Sequence, residues 1–124
     1  MTYVDGFVIA IPKKNVASYK KMAELGKKIW VKHGALDYYE CIGDDLNPKM
    51  GGMKIPTFPQ IAKAKPNETV IFSFIVFKNK AHRNQVNKKV MKDPSMSPDK
   101  MKDFPMPFEM NRMTYGGFKT IVQK

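Results

Sequence analysis

Val70-Ile-Phe-Ser-Phe-Ile-Val-Phe77 is the stretch whose reading decides the fold. A strand with one buried face alternates apolar and polar residues. Here both parities are apolar: Val70, Phe72, Phe74 and Val76 on one side, Ile71, Ile75 and Phe77 on the other. Both faces of the sheet must therefore be covered. The rest of the chain offers two convincing amphipathic helices, enough for one face. A second copy of the protein is the simplest cover for the other. The stretch thus predicts a small α+β domain that dimerises sheet to sheet. No motif in the chain identifies a reaction.

Working outward, Tyr3 to Ile11 reads as a strand ended by Pro12. Asn15 is a suitable N-cap for a helix over 15–33, with Val16, Tyr19, Met22, Ala23, Gly26, Ile29, Trp30 and His33 forming one stripe. Gly34 stands where a left-handed C-terminal cap belongs. Ala35 to Ile42 reads as a second strand, closing at Gly43-Asp44-Asp45. A long connection punctuated by Pro48, Gly51, Gly52, Pro56 and Pro59 follows. So long a loop is unusual in a compact domain, and Phe58 to Ala64 is predicted as a peripheral strand. Lys65-Pro66-Asn67-Glu68 would turn it back as a hairpin onto the apolar strand. Asn79 can cap a second helix over 80–92 with His82, Val86 and Val90 inward, and Asp93-Pro94 ends it. A Pro- and Met-rich segment with a turn of helix at Pro98 to Asp103 leads to a last strand, Thr114 to Val122. This order predicts one domain over residues 1–124. Its expected fold is a ferredoxin-like sandwich, βαββαβ with an extra peripheral strand and two helices on one face of an antiparallel sheet. Face-to-face pairing of two such sheets makes a dimeric α/β barrel.

Composition narrows the function classes. At 124 residues the chain can bury roughly two thirds of its unfolded surface, and 43% apolar residues argue against wholesale disorder. A single cysteine, Cys41, excludes an intrachain disulfide framework and fits a reducing compartment. Phe7 to Ile11 is too short for a signal core, and no stretch approaches a membrane span. A soluble, cytoplasmic protein without a membrane partner is expected. The net charge of +11 invites a nucleic-acid reading. Yet of 22 basic residues only Arg83 and Arg112 are arginines, and the lysines fall in doublets such as Lys20-Lys21, Lys27-Lys28 and Lys88-Lys89. Lysine lacks the planar fork that reads phosphates and bases. A solvated lysine surface is the favoured reading; binding of RNA or another polyanion is the alternative.

Several short motifs together resemble a known family. They are Tyr3-Val-Asp-Gly-Phe-Val8, His33-Gly-Ala-Leu36, Glu40-Cys41 with Gly43-Asp-Asp45, Thr57-Phe-Pro59 and Glu68-Thr-Val-Ile-Phe-Ser73. Ala81-His-Arg83, Asp93-Pro94, Met106-Pro-Phe108, Arg112-Met113 and Tyr115-Gly-Gly-Phe118 complete the set. In register over nearly the whole chain, they are similar to the YbaA-like family of bacterial proteins, a domain of unknown function in the dimeric α/β-barrel superfamily. The resemblance implies fold and oligomeric state, and carries over no catalytic residues. The wider superfamily includes cofactor-free oxygenases, haem-handling enzymes and small-molecule lyases, so it locates a pocket better than a reaction. Two departures stand out. The loop Lys49-Met-Gly-Gly-Met-Lys54 is longer than the family's connection, and Glu109-Met110-Asn111 replaces its Asp-Gly-Lys turn.

Among polar residues Glu40 is the most informative. Strand parity sets it with Leu36, Tyr38 and Ile42. On a helix-covered face its pKa would rise and suit acid–base work; at the rim it would be a plain ion-pair partner, for instance of Arg112. His33 and His82 project from inward helix stripes, as general bases or as hydrogen-bonded core residues. Neither makes a zinc site with Cys41, so no metal and no cofactor is expected. Cys41 itself reads as a buried, inert thiol. Arg83, near a helix N-terminus, could hold an anion or serve a salt bridge. Gly116-Gly117 inside a strand marks a bulge or a close approach. Met91, Met96, Met101, Met106, Met110 and Met113 crowd one segment, as a lid over the barrel end or as ordinary packing. The expectation is a homodimer that binds a small organic molecule between helices and sheet. Tyr3, His33, Tyr38, Glu40, His82, Arg112 and Tyr115 are the polar groups expected nearest it. Whether the ligand is also transformed, without a metal, is left open.

Overall fold

The computed structural model describes residues 1–124. Four strands, β1 (Tyr3–Pro12), β2 (Asp37–Ile42), β3 (Glu68–Phe77) and β4 (Met113–Lys119), form one sheet. Their order is β2-β3-β1-β4 and every neighbouring pair is antiparallel. Two long helices, α1 (Val16–Lys32) and α3 (Lys80–Met91), pack on one face. Two short ones, α2 (Phe58–Ala62) and α4 (Pro98–Met101), sit in the connections. This is the α+β, ferredoxin-like arrangement that the order of elements predicts.

Register assigns each side chain to a face. On the helix side three rows cross the sheet: Tyr38, Ile75, Asp5; then Glu40, Ser73, Phe7, Tyr115; then Ile42, Ile71, Ile9, Met113. The first row supports an apolar cluster of Ile29, Ala35, Ile75, Phe77, Val86 and Val90. The third supports a second cluster of Ile9, Ile11, Tyr19, Ala23 and Ile71. The polar middle row lies between them and divides the core. The other face carries Val4, Gly6, Val8 and Ala10 of β1 beside Val76, Phe74, Phe72 and Val70 of β3.

That second face differs from expectation at one end. Residues 58–64 are not a strand: Phe58–Ala62 is α2, closed by Lys63 in the left-handed region (φ +54°). Thr57 accepts from the Gln60 amide while the Gln60 side chain accepts from the Thr57 amide, a full capping box. Two reciprocal bonds and Pro59 in the first turn outweigh the β-leaning apolar residues. Lys65 to Glu68 therefore turns a helix, not a strand, into β3. α2 packs against β1 and β3, with the Phe58 ring edge-on to Phe72. Val70 there is 2% exposed. Further along, Phe72 is 44%, Tyr39 52% and Phe118 62% exposed, so an apolar band stays open.

Other local readings shift in smaller ways. Asn15 precedes α1 without capping it; its amide donates to the Pro107 carbonyl at 2.9 Å instead. Asn79 does cap α3, accepting from the His82 amide at 2.8 Å. Gly34 has φ +116° as its capping position requires. The final strand stops at Lys119. Gly116 and Gly117 form no bulge and pair regularly with Gly6 and Asp5. They permit close approach: a Cβ on Gly117 would stand 2.8 Å from Arg83 Nη2.

Because α2 is held by its cap, Thr57→Ala is expected to cost about 1 kcal/mol. Urea unfolding should show a lower midpoint with an unchanged slope, and no loss would mean that the box does not hold the helix.

Candidate binding cleft between the helices and the sheet

The divided core leaves a cavity of about 450 Å³ between the helices and the middle of the sheet. Most of its lining is hydrophobic, and its floor includes the row Glu40, Ser73, Phe7 and Tyr115. A second cleft of about 370 Å³ opens between α1 and β2, and a smaller one of about 190 Å³ lies under Leu25 and Met96. All three meet at Tyr19, Tyr38 and Glu40.

Glu40 faces the helices, on the side that its strand parity indicates. The Tyr19 hydroxyl lies 2.9 Å from Oε1 and 2.7 Å from Oε2. It has one proton to donate, shared between the two oxygens, so carboxylate lone pairs remain free. No cation answers the charge: every ion pair in the structure involves Asp93, Asp5 or Glu68. Burial raises the Glu40 pKa, and hydrogen bonding from Tyr19, Ser73 and Tyr38 offsets that only in part. Burial, reinforced by the Glu40 charge, also pushes the Tyr19 and Tyr38 phenols well above their ordinary range. Both remain neutral donors. Gly26 of α1 makes room for Tyr38, since a Cβ there would lie 2.8 Å from the hydroxyl.

At the other end Asp5 is 1% exposed and partnered. Its Oδ1 is 3.4 Å from Arg83 Nε, and its Oδ2 accepts from Asn87 Nδ2 at 3.4 Å. Asn87 in turn accepts from Trp30 Nε1 at 3.0 Å. Arg83 donates to the Tyr3 hydroxyl at 3.0 Å and lies over the Tyr3 ring, 4.9 Å from its centroid. Burial works against the Arg83 charge, but the Tyr3 bond and Asp5 outweigh it and raise its pKa. Burial and then Asp5 raise the Tyr115 phenol too.

Of the seven polar residues expected at the pocket, Tyr38, Glu40 and Tyr115 line the cavity; Tyr3, His33, His82 and Arg112 do not. Tyr3 backs the cavity through Arg83. His33 Nε2 is 2.7 Å from Asp93 Oδ2. Lys32 joins the pair, and Asp93 is held well below the ordinary carboxylate range, first by His33. This cluster ties the end of α1 to the segment after α3. His82 Nδ1 accepts from the Lys78 amide at 3.0 Å, and its ring meets Phe77 edge-on. Arg112 pairs with Glu68, not Glu40, and donates to the Lys63 carbonyl at 2.9 Å, bracing α2 against β3. Cys41 is not buried: it lies on the open sheet face beside Phe72. Of the methionines, Met91, Met110 and Met113 line the cavity, Met96 and Met101 the smallest cleft, and Met106 is exposed.

Four cavity residues escaped the sequence reading. Tyr19 passes as one more apolar stripe position, and Asn87 as one of many polar helix residues. Asp5 and Ser73 did leave a signal, since each is the polar residue among apolar ones of its own strand parity.

The antiparallel four-stranded sheet with both long helices on one face places the chain among the α+β, ferredoxin-like proteins. This chain belongs to the family described as "Protein of unknown function (DUF1428)", which matches residues 2–110. It is 38% identical over 126 residues to "Uncharacterized protein YbaA" of Escherichia coli (strain K12), with both chains covered completely. The protein of the same description from Shigella flexneri is equally similar. Among solved structures, a dimeric ferredoxin-like protein from an uncultured marine organism aligns over the whole of both chains, with TM-score 0.55 and 10% identity. At that identity the likeness concerns the fold. No helix of this chain is long and apolar enough to cross a membrane.

The raised Glu40 pKa fixes a sign for stability. The native state takes up this proton more readily than the unfolded chain, whose value is about 4.3. The carboxyl's contribution is therefore fully present below that value and is lost as pH rises through the raised native one. Glu40→Gln is expected to match or exceed the wild type in stability at about pH 7, and the wild type to regain ground at about pH 4. Urea unfolding of both proteins checks this; wild type losing ground on acidification would reverse the assignment.

Proposed function

We propose that the protein is a homodimer joined through the open face of its sheet, and that each protomer binds a small organic molecule between helices and sheet. The observation that carries the ligand reading is the cavity of about 450 Å³ above a carboxylate that no protein cation neutralises. Its size and mostly apolar lining with a few convergent polar groups suit a metabolite-sized guest. Glu40, Tyr38 and Tyr115 are the proposed contacts from the original set, joined by Tyr19, Ser73, Asp5 and Asn87. A protein that used this fold only as a partner subunit would gain stability by filling the space. A reducing, cytoplasmic setting fits the single exposed thiol at Cys41.

The dimer reading rests on the exposed band of Tyr39, Phe72 and Phe118, an apolar surface that a monomer would leave wet. The structural neighbour is itself described as dimeric. A standard interface buries about 800 Å² per partner. Phe72→Lys places a charge in the middle of the band. It is expected to convert a dimer to a monomer in sedimentation velocity; a wild type that sediments as a monomer at every concentration overturns the dimer.

Thermal-shift screening against a metabolite panel tests the cleft. Stabilisation by particular compounds that persists between low and physiological salt supports a pocket ligand. Binding confined to polyanions, and weakening steeply with salt, would instead make the lysine surface the binding site.

A further inference from the structure

Charge is distributed oddly in this molecule. Lysine and arginine outnumber aspartate and glutamate by 22 to 11 over the chain. The cavity inverts that balance: its lining includes Asp5 and Glu40 and no lysine, arginine or histidine. Asp5 is answered from behind by Arg83 at 3.4 Å, whereas Glu40 has phenols and a hydroxyl for neighbours and no cation within ion-pair distance. Around it stand six aromatic side chains, Phe7, Tyr19, Trp30, Tyr38, Phe108 and Tyr115. Phe7 and Tyr115 stack at 4.8 Å, and Trp30 and Tyr38 are 6.4 Å apart. An ionised carboxylate facing aromatic walls in a largely apolar space lacks one thing, a positive charge supplied from outside.

Resting on the ligand-binding reading above, we infer that the cleft takes an organic cation, an amine with an apolar body, whose ammonium group pairs with Glu40 between the aromatic rings. The ammonium brings three donors to an acceptor-only carboxylate. Ring faces attract the same charge through their quadrupole, most strongly where water is excluded. The apolar body fits walls made of rings and of Met22, Met91 and Met113, whose unbranched side chains adapt to shape. A carboxylate ligand is disfavoured, since its charge would repel Glu40 in a poorly screened interior. A neutral alcohol could bond Glu40 but would leave the charge uncompensated. The net charge of +11 opposes the approach of a cation, but screening limits that repulsion to about 8 Å at physiological salt. Inside the cavity the local acid decides. Tyr19 acts as a positioning residue that holds the carboxylate by its hydroxyl. The other charged or titratable groups around Glu40 are Tyr38 and Cys41 of its own strand, Asp5 and Tyr115 of the cavity lining, and Lys20, Glu24 and Lys27 of α1, which line the adjoining cleft.

The test uses three ligands of one shape on the full-length protein: tryptamine, its alcohol analogue tryptophol, and the anion indolepropionate. Isothermal calorimetry is expected to find tryptamine bound at least about tenfold more tightly than tryptophol, as one charge-assisted pair implies. Indolepropionate should be weakest. Glu40→Gln should abolish the preference for tryptamine, and a cooperative urea transition reports that the variant is folded. On the wild type the preference should fade as pH drops through the raised Glu40 titration. Tryptophol bound as well as tryptamine, or a preference that survives Glu40→Gln, overturns the cation inference and leaves the binding cleft standing. Failure of all three ligands, together with no stabilisation by any metabolite, removes both.

Discussion

The ten-pair antiparallel ladder between β1 and β3 sets where every functional side chain can be, because side chains alternate faces with a period of two. With Asp5 opposite Ile75 and Phe7 opposite Ser73, the neighbouring strands place Glu40 and Tyr115 on the same crossing row. A one-residue slip of β3 would send Ser73 to the open face and turn Phe72 and Phe74 under the helices, and a slip of β1 would send Asp5 to the open face. Nothing in such an arrangement would satisfy the Asp5 carboxylate, so the Asp5–Arg83 pair and the apolar rows specify one register together. Without it the cleft does not exist.

The same ladder explains why the core is divided. Isoleucines occupy the helix-side rows above and below, but the row between them carries Glu40 and Ser73. Burying a carboxylate with phenols for company costs stability that an apolar residue in its place would not. Tyr19 and Tyr38 soften that cost without removing it, and the raised Glu40 pKa is its signature. The space beside the carboxylate is the structural counterpart of the missing cation.

On the opposite face the ladder is also apolar, and there two devices share the covering. α2, fastened by its capping box and by the Arg112 contacts to Glu68 and the Lys63 carbonyl, closes the end over Ala10 and Val70. The rest, from Phe72 across to Phe118, is left open. Cys41 shares this face, which accounts for an exposed thiol where apolar strand neighbours suggest a buried one.

Outside residues 58–64, the order of strands and helices, the two-faced central strand, the ranges of the two long helices and the inward direction of Glu40 were legible in the chain, because periodicity is a local signal that survives without neighbours. The pocket set was legible only in part. Tyr38 and Glu40 follow from parity on one strand, but His33 and His82, equally inward on their helices, are claimed by Asp93 and by the Lys78 amide. Arg112 goes to Glu68, a partner forty-four residues away in the chain. Over residues 58–64 the apolar content predicts a strand, because a cap whose two halves must close on each other leaves only a weak signal in the chain. Local patterning, then, determined which segments fold and which way their residues point. Only packing decided which polar groups find one another, since hydrogen-bond and ion-pair partners distant in sequence are chosen by strand register and helix placement.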